Sequence, residues 1–193
     1  RACLGFSMVA QLSIMHKLGI ISRSALDQIK SSVDLLKYDQ DEIKSKALKV
    51  AKLIAGKTPI IYVSDRMEAV ALRFKQQINE NAKTLSWYNV IPEMNHNELV
   101  GWSDMHNDAA VIYFRNKDDF KRNALRMDIS KEIIAKQTHT VIEIFSKGQS
   151  LVEKSMYFTH LGDWISLYLA ELKPVDPSEI KVIFFLKTEM GKI

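Results

Sequence analysis

The stretch Pro92-Glu93-Met94-Asn95-His96-Asn97-Glu98-Leu99-Val100-Gly101-Trp102 gathers two carboxylates, two side-chain amides and an imidazole into eleven residues. It is too polar for a buried strand and too aperiodic for an amphipathic helix. A polar loop between regular elements is where chemistry concentrates, because a rigid scaffold presents its side chains to a ligand. Glu98 is the candidate general base: a free carboxyl side chain is ionised at neutral pH, and neighbours able to hydrogen-bond can fix its orientation for proton transfer. The competing reading is a loop carboxylate that caps a nearby backbone amide, and His96 is open to the same two readings. His106 lies in a hydrophilic segment and is expected to face solvent. His160, inside an apolar helical run, reads as a hydrogen-bonded core histidine. Lys187, taken alone, reads as a surface charge.

The elements that must position this loop follow from periodicity. Pro59-Ile60-Ile61-Tyr62-Val63 is a short apolar run bounded by Pro59 and Ser64-Asp65, which predicts a strand buried on both faces, the mark of a parallel sheet. Residues 85–90, 109–114 and 139–145 read as three further strands. Residues 67–81 (Met67, Ala71, Phe74 and Ile78 in line), 118–136 and 149–172 read as the helices between and after them. This alternation predicts an α/β layered fold with a parallel sheet. Ligands of such sheets sit beyond the carboxyl ends of the strands, so the loops expected to matter are 64–66, 91–102 and 115–117.

Upstream, residues 2–18 read as a helix without a polar face, expected to be buried on most sides. A second helix carries Leu26, Ile29, Val33 and Leu36 behind Ser24 as N-cap. A third spans 39–55, with Ile43, Ala47, Val50 and Leu53 on one face and Gly56 as its stop. Asp176, with Pro177 at the first helical position, predicts a final helix to about Met190. The expected organisation is a single domain over 1–193, with a helical lead-in over 1–56 and an α/β core over 57–193.

Composition excludes several functions. Hydrophobic residues make up 47% of the 193, which fits a globular chain rather than a disordered one. The net charge of +4 is spread along the chain and not interleaved with aromatics, so nucleic acid is not an expected partner. One cysteine, Cys3, precludes an internal disulfide and agrees with a reducing, cytoplasmic setting. The uncharged start is interrupted by Gln11, Ser13 and His16 before Lys17, short of the roughly 20 apolar residues of a membrane span. There is no glycine-rich phosphate loop and no GxSxG elbow. The histidines His16, His96, His106, His139 and His160 form no HExxH, so neither metal nor cofactor is expected. The chain starts at Arg1 in an apolar helix, which is expected of the C-terminal part of a longer polypeptide.

Several segments together resemble the C-terminal half of the bifunctional phosphoglucose/phosphomannose isomerases of the sugar isomerase (SIS) superfamily. They are Arg1-Ala2-Cys3-Leu4-Gly5-Phe6-Ser7, Asn79-Glu80-Asn81-Ala82-Lys83, the loop 92–102 with its Asn95-His96-Asn97-Glu98, Leu161-Gly162-Asp163-Trp164, and Val175-Asp176-Pro177-Ser178-Glu179-Ile180 with Leu186-Lys187. The resemblance covers essentially the whole chain. It implies an αβα sandwich of SIS type around a five-stranded parallel sheet, an N-terminal SIS subdomain carrying the sugar-phosphate loop, and a homodimer with sites near the subunit contacts.

The resemblance also implies residue roles. The catalytic glutamate falls on Glu98, moving a proton between C2 and C1 of a hexose 6-phosphate through a cis-enediol. An arginine that stabilises the enediolate or holds substrate falls on Arg1, and a lysine assisting proton transfer falls on Lys187. Asn95, His96 and Asn97 belong to the expected substrate surroundings. The family's ring-opening histidine has no counterpart: Phe120 stands in its place, and His106 is the candidate substitute. The expected function is therefore isomerisation of glucose 6-phosphate and mannose 6-phosphate to fructose 6-phosphate. The rival readings are a sugar-phosphate-binding or regulatory module without turnover, and a dimerisation half.

Overall fold

Two seven-residue strands, β1 (Thr58–Ser64) and β3 (Ala109–Arg115), form the centre of a parallel sheet in the computed structural model, which describes residues 3–192. With β2 (Trp87–Ile91) and β4 (Val141–Phe145) the sheet has four strands in the order β2–β1–β3–β4. Four is the number read from the strand pattern; the fifth implied by the resemblance is absent among the described residues. The apolar runs are continuous because both faces of the two central strands are covered.

Side chains alternate across each strand. Ile61, Val63, Ala110, Ile112 and Phe114 face one layer, made by α3 (Gln40–Ile54), α4 (Glu68–Ala82) and α7 (Leu151–Leu172). Ile60, Tyr62, Val111 and Tyr113 face the other, made by α6 (Lys121–Ile134) and by Met94 and Trp102 of the polar loop. The first layer is tied by the rings of Phe74, Phe114 and Phe158, stacked at 5.3 and 4.3 Å. Gly162 permits this closeness, since a Cβ there would lie 2.9 Å from the Phe74 ring. The α/β class, the parallel sheet and the covering helices are thus as the sequence predicts.

The helix starts differ, each for a local reason. α2 (Arg23–Tyr38) begins at Arg23 behind Ser22, not behind Ser24. α6 starts at Lys121, because Asp119 closes a turn by accepting the Asn116 N–H at 2.8 Å. The last helix, α8 (Lys181–Met190), starts beyond Pro177, because Asp176 accepts the Ser178 N–H at 2.8 Å and forms a turn of its own.

The larger correction concerns α1 (Leu4–Lys17), which contains no buried residue although its apolar sequence predicts burial; Phe6 is 82% exposed. Uniform apolarity makes the helix, but the chain offers only one side of cover. α8 likewise buries nothing. No helix among the described residues is long and apolar enough to cross a membrane.

Candidate active site

The polar loop leaves β2 through the cis Ile91–Pro92 bond, makes one 3-10 turn over Glu93–Asn95, and ends in α5, a four-residue turn of helix (Glu98–Gly101). Met94 and Trp102 anchor it in the sheet face, so the polar residues between them are presented by buried neighbours. Asn97 caps α5, its Oδ1 accepting the Glu98 N–H at 2.5 Å. That bond fixes where the glutamate leaves the backbone.

The Glu98 carboxylate accepts three side-chain hydrogen bonds: from Tyr62 Oη at 2.5 Å, Trp87 Nε1 at 3.2 Å and Asn89 Nδ2 at 2.7 Å. Tyr62 in turn accepts from Trp102 Nε1 at 3.0 Å. Tyr62 and Asn89 are register partners across β1 and β2, as are Ile60 and Trp87, so one sheet face delivers all three donors. Burial, and then the adjacent Glu98 carboxylate, push the Tyr62 phenol far above its ordinary pKa of 10.0. Tyr62 therefore stays a protonated donor and orients the carboxylate.

Glu98 and Trp102 line a cavity of about 280 Å³ shared with His106 and with Thr58, Asp108 and Ala109 at the amino ends of β1 and β3. Loop 91–102 thus folds back along the face of the sheet. It does not join the loops 64–66 and 115–117, which meet at the carboxyl ends of β1 and β3 around a separate crevice. A cavity holding a fixed carboxylate and an imidazole, walled by indole rings, can carry out proton transfer on a small substrate.

Of the residues singled out from the sequence, the fold brings Glu98 and His106 to one cavity. His106 is half-buried rather than solvent-facing: Nε2 lies 3.1 Å from the Gly101 carbonyl, and the ring meets Trp102 edge-on at 5.1 Å. Asn95, His96 and Asn97 do not surround the carboxylate. The Asn97 oxygen is the cap, the Asn95 amide nitrogen contacts the Met94 sulfur at 3.1 Å, and His96 is exposed. Lys187 is exposed on α8 and lines no cavity with Glu98. Arg1 lies outside the described residues. His160 behaves as a core histidine, with Nε2 at 2.8 Å from Gln40 Oε1, and burial lowers its pKa.

Sequence reasoning misses three residues: Tyr62, Trp87 and Asn89. A single hydroxyl in the apolar run of β1 is a signal for the first. Polar and aromatic groups two apart in β2, on the same side of the strand, are a signal for the others.

Residues 43–190 match the family described as bacterial phospho-glucose isomerase C-terminal SIS domain. Over 204 aligned positions, covering all of this chain and 60% of the relative, the sequence is 37% identical to a bifunctional phosphoglucose/phosphomannose isomerase of Caldicellulosiruptor bescii. It is 34% identical over 194 positions to the protein of that name from Aquifex aeolicus, covering all of this chain and 58% of the relative. Among solved structures it is similar to a glucose-6-phosphate isomerase like protein from Thermus thermophilus, with a TM-score of 0.56 and 23% identity over 68% of this chain and 42% of the other. That likeness concerns the fold. The chain spans about 60% of the length of the curated relatives it matches.

Proposed function

The chain belongs to the family of bacterial phosphoglucose isomerase C-terminal SIS domains, and from that premise we propose that it is the C-terminal part of an aldose–ketose isomerase. The proposed reaction converts glucose 6-phosphate and mannose 6-phosphate to fructose 6-phosphate. The observation that carries the reading is the Glu98 carboxylate, held by three donors on a cavity wall. Glu98 takes the proton from C2 of the open-chain aldose, the C1 carbonyl becomes part of a cis-enediol, and return of the proton to C1 gives the ketose. A second proton must pass from O2 to O1. His106, on the same wall, is the proposed carrier, with Lys187 assisting if α8 is brought over the cavity.

Tyr62, Trp87 and Asn89 are positioning residues in this scheme. Arg1 is proposed as the cation facing the enediolate, a role for which a guanidinium is suited because it keeps its charge. The exposed apolar faces of α1 and α8 support a further SIS subdomain in the parent chain and a homodimer as their cover. The setting is proposed to be cytoplasmic. Asn95 and Asn97 then hold the loop's shape, through packing on Met94 and capping of α5, rather than bind substrate, and His96 stays at the surface.

A second reading is favoured by Phe120, which is 67% exposed and cannot carry a proton at the place where the family's ring-opening histidine is expected. It is a sugar-phosphate-binding module without turnover. The test is the parent protein with each substrate in deuterated water, followed by NMR. Formation of fructose 6-phosphate with deuterium entering at the exchanged carbon supports the isomerase. Saturable binding without exchange supports the module.

A further inference from the structure

We propose that Oε2 of Glu98 is the oxygen that takes the substrate proton, and that Asn89 is the residue that aims this oxygen and keeps water off it. This assignment rests on the isomerase reading and deepens it. An ionised carboxylate has about four acceptor sites, two on each oxygen. Both sites of Oε1 are taken, by Tyr62 Oη at 2.5 Å and Trp87 Nε1 at 3.2 Å. Oε2 accepts from Asn89 Nδ2 at 2.7 Å and, among the described residues, from nothing else. The site left open for a substrate proton is therefore on Oε2.

Asn89 differs from the other two donors in being held at both ends. Its Oδ1 accepts the Val90 N–H at 2.8 Å, while its Nδ2 donates to Glu98. Turning the amide over would set its oxygen against the carboxylate and its amino group against the Val90 N–H, so only one orientation satisfies both partners. Asn89 and Tyr62 are register partners on neighbouring strands. The sheet thus grips the two carboxylate oxygens separately, Oε1 from β1 and Oε2 from β2. The carboxylate cannot turn to exchange its oxygens without giving up both of these bonds.

In the forward step the C2–H bond breaks and an Oε2–H bond forms. The C–H electron pair becomes the C1=C2 bond, and the carbonyl π pair passes to O1, which takes up a proton. In the return step the Oε2–H bond breaks and a C1–H bond forms, while O2 gives up its proton and C2 becomes the carbonyl. One proton has then moved from C2 to C1 and another from O2 to O1. While Oε2 holds the first proton, a water on the other site of that oxygen would exchange it. Asn89 Nδ2 fills that site, so part of the substrate hydrogen reaches C1 without exchange. A water at Oε1 would touch only the oxygen that carries no proton.

The test compares Asn89→Ala with Trp87→Phe in the parent protein, supplied with glucose 6-phosphate in deuterated water. NMR at early conversion gives both the turnover and the deuterium entering C1 of fructose 6-phosphate per turnover. Asn89→Ser replaces Asn89→Ala if the alanine variant does not fold. Both changes loosen the carboxylate, and each should lower turnover about tenfold, inside the roughly 10²-fold that a misplaced catalytic group can cost. The wild type should incorporate less than a full deuterium per turnover. Asn89→Ala should raise that ratio towards full incorporation, and Trp87→Phe should leave it at the wild-type value. A merely structural loss would lower turnover without moving the ratio. Full incorporation by the wild type, an unchanged ratio in Asn89→Ala, or an equal rise in Trp87→Phe would each overturn the assignment while leaving the isomerase reading standing. Absence of turnover in the wild type would overturn both.

Discussion

The Glu98 cavity and the Asn123 crevice lie at opposite ends of the same two strands, and they differ in how their polar groups are satisfied. At Glu98 every donor has an acceptor: Trp102 donates to Tyr62, and Tyr62, Trp87 and Asn89 donate to the carboxylate. At the crevice Asp119 is fully engaged, while Asn123 and Arg66 line open space that solvent reaches. The first pattern fixes one side chain in one orientation before anything binds, which is what proton transfer to carbon requires. The second leaves its side chains to solvent, with no single group held in one orientation. One fold thus has a preorganised end and a solvated end.

The strongest way to break the comparison is Glu98→Gln in the parent protein. An amide keeps the shape but cannot act as base, so turnover should fall by about 10²–10⁴-fold, while the urea midpoint moves little. Retention of more than about a tenth of wild-type turnover would remove Glu98 from the role of base. Tyr62→Phe should act on both stability and rate. It leaves the buried Trp102 N–H without its acceptor and removes one of the donors that hold Glu98. A loss of about 1–3 kcal/mol on denaturant unfolding is expected, with turnover down about tenfold. Wild-type turnover in a folded Tyr62→Phe protein would show that orientation of Glu98 does not depend on this bond.

Phe120→His sharpens the comparison from the other end. Because Phe120 lies at the opposite end of the strands from Glu98, an imidazole there can serve only a site completed across the proposed homodimer; if it does and ring opening limits the reaction, turnover of the cyclic substrates should rise about tenfold or more, within the range of general acid–base effects. Unchanged turnover would mean that His106, or no protein group, opens the ring.

How much of this is legible in the sequence depends on sequence distance. β1 and β3 are readable from their apolar runs because burial on both faces leaves a local mark, and Glu98 stands out because its loop is locally unusual. The partners of Glu98 are not readable in that way. Tyr62 is 36 positions away, and strand register, which no local pattern specifies, decides that they meet. The burial of α1 is misjudged from sequence because an apolar helix reads the same whether its own chain or another covers it. Asp176-Pro177 misleads because an Asx turn and a helix cap use the same carboxylate-to-amide bond, and only the residues after it decide which forms.

The smallest effect concerns how the crevice keeps its lysine. Lys154 sits in the first turn of α7, next to Glu153, which with Ser150 forms a reciprocal cap: Ser150 Oγ accepts the Glu153 N–H at 3.1 Å and Glu153 Oε2 accepts the Ser150 N–H at 2.7 Å. The Ser150 N–H first, with Ser31 and Gln149 adding to it, holds the Glu153 carboxyl at about 2, below its ordinary value of 4.5. A carboxyl lowered on folding stabilises the folded state above its unfolded pKa, and that contribution fades as pH falls from about 4.5 towards 2. The group is largely open to solvent, so the contribution is screened to about 0.5 kcal/mol. Glu153→Gln can keep the neutral cap but not the charge. Between pH 6 and pH 3 the urea midpoint of the wild type should therefore fall slightly further than that of the variant. Parallel pH profiles would show that the charge at the start of α7 contributes nothing to stability.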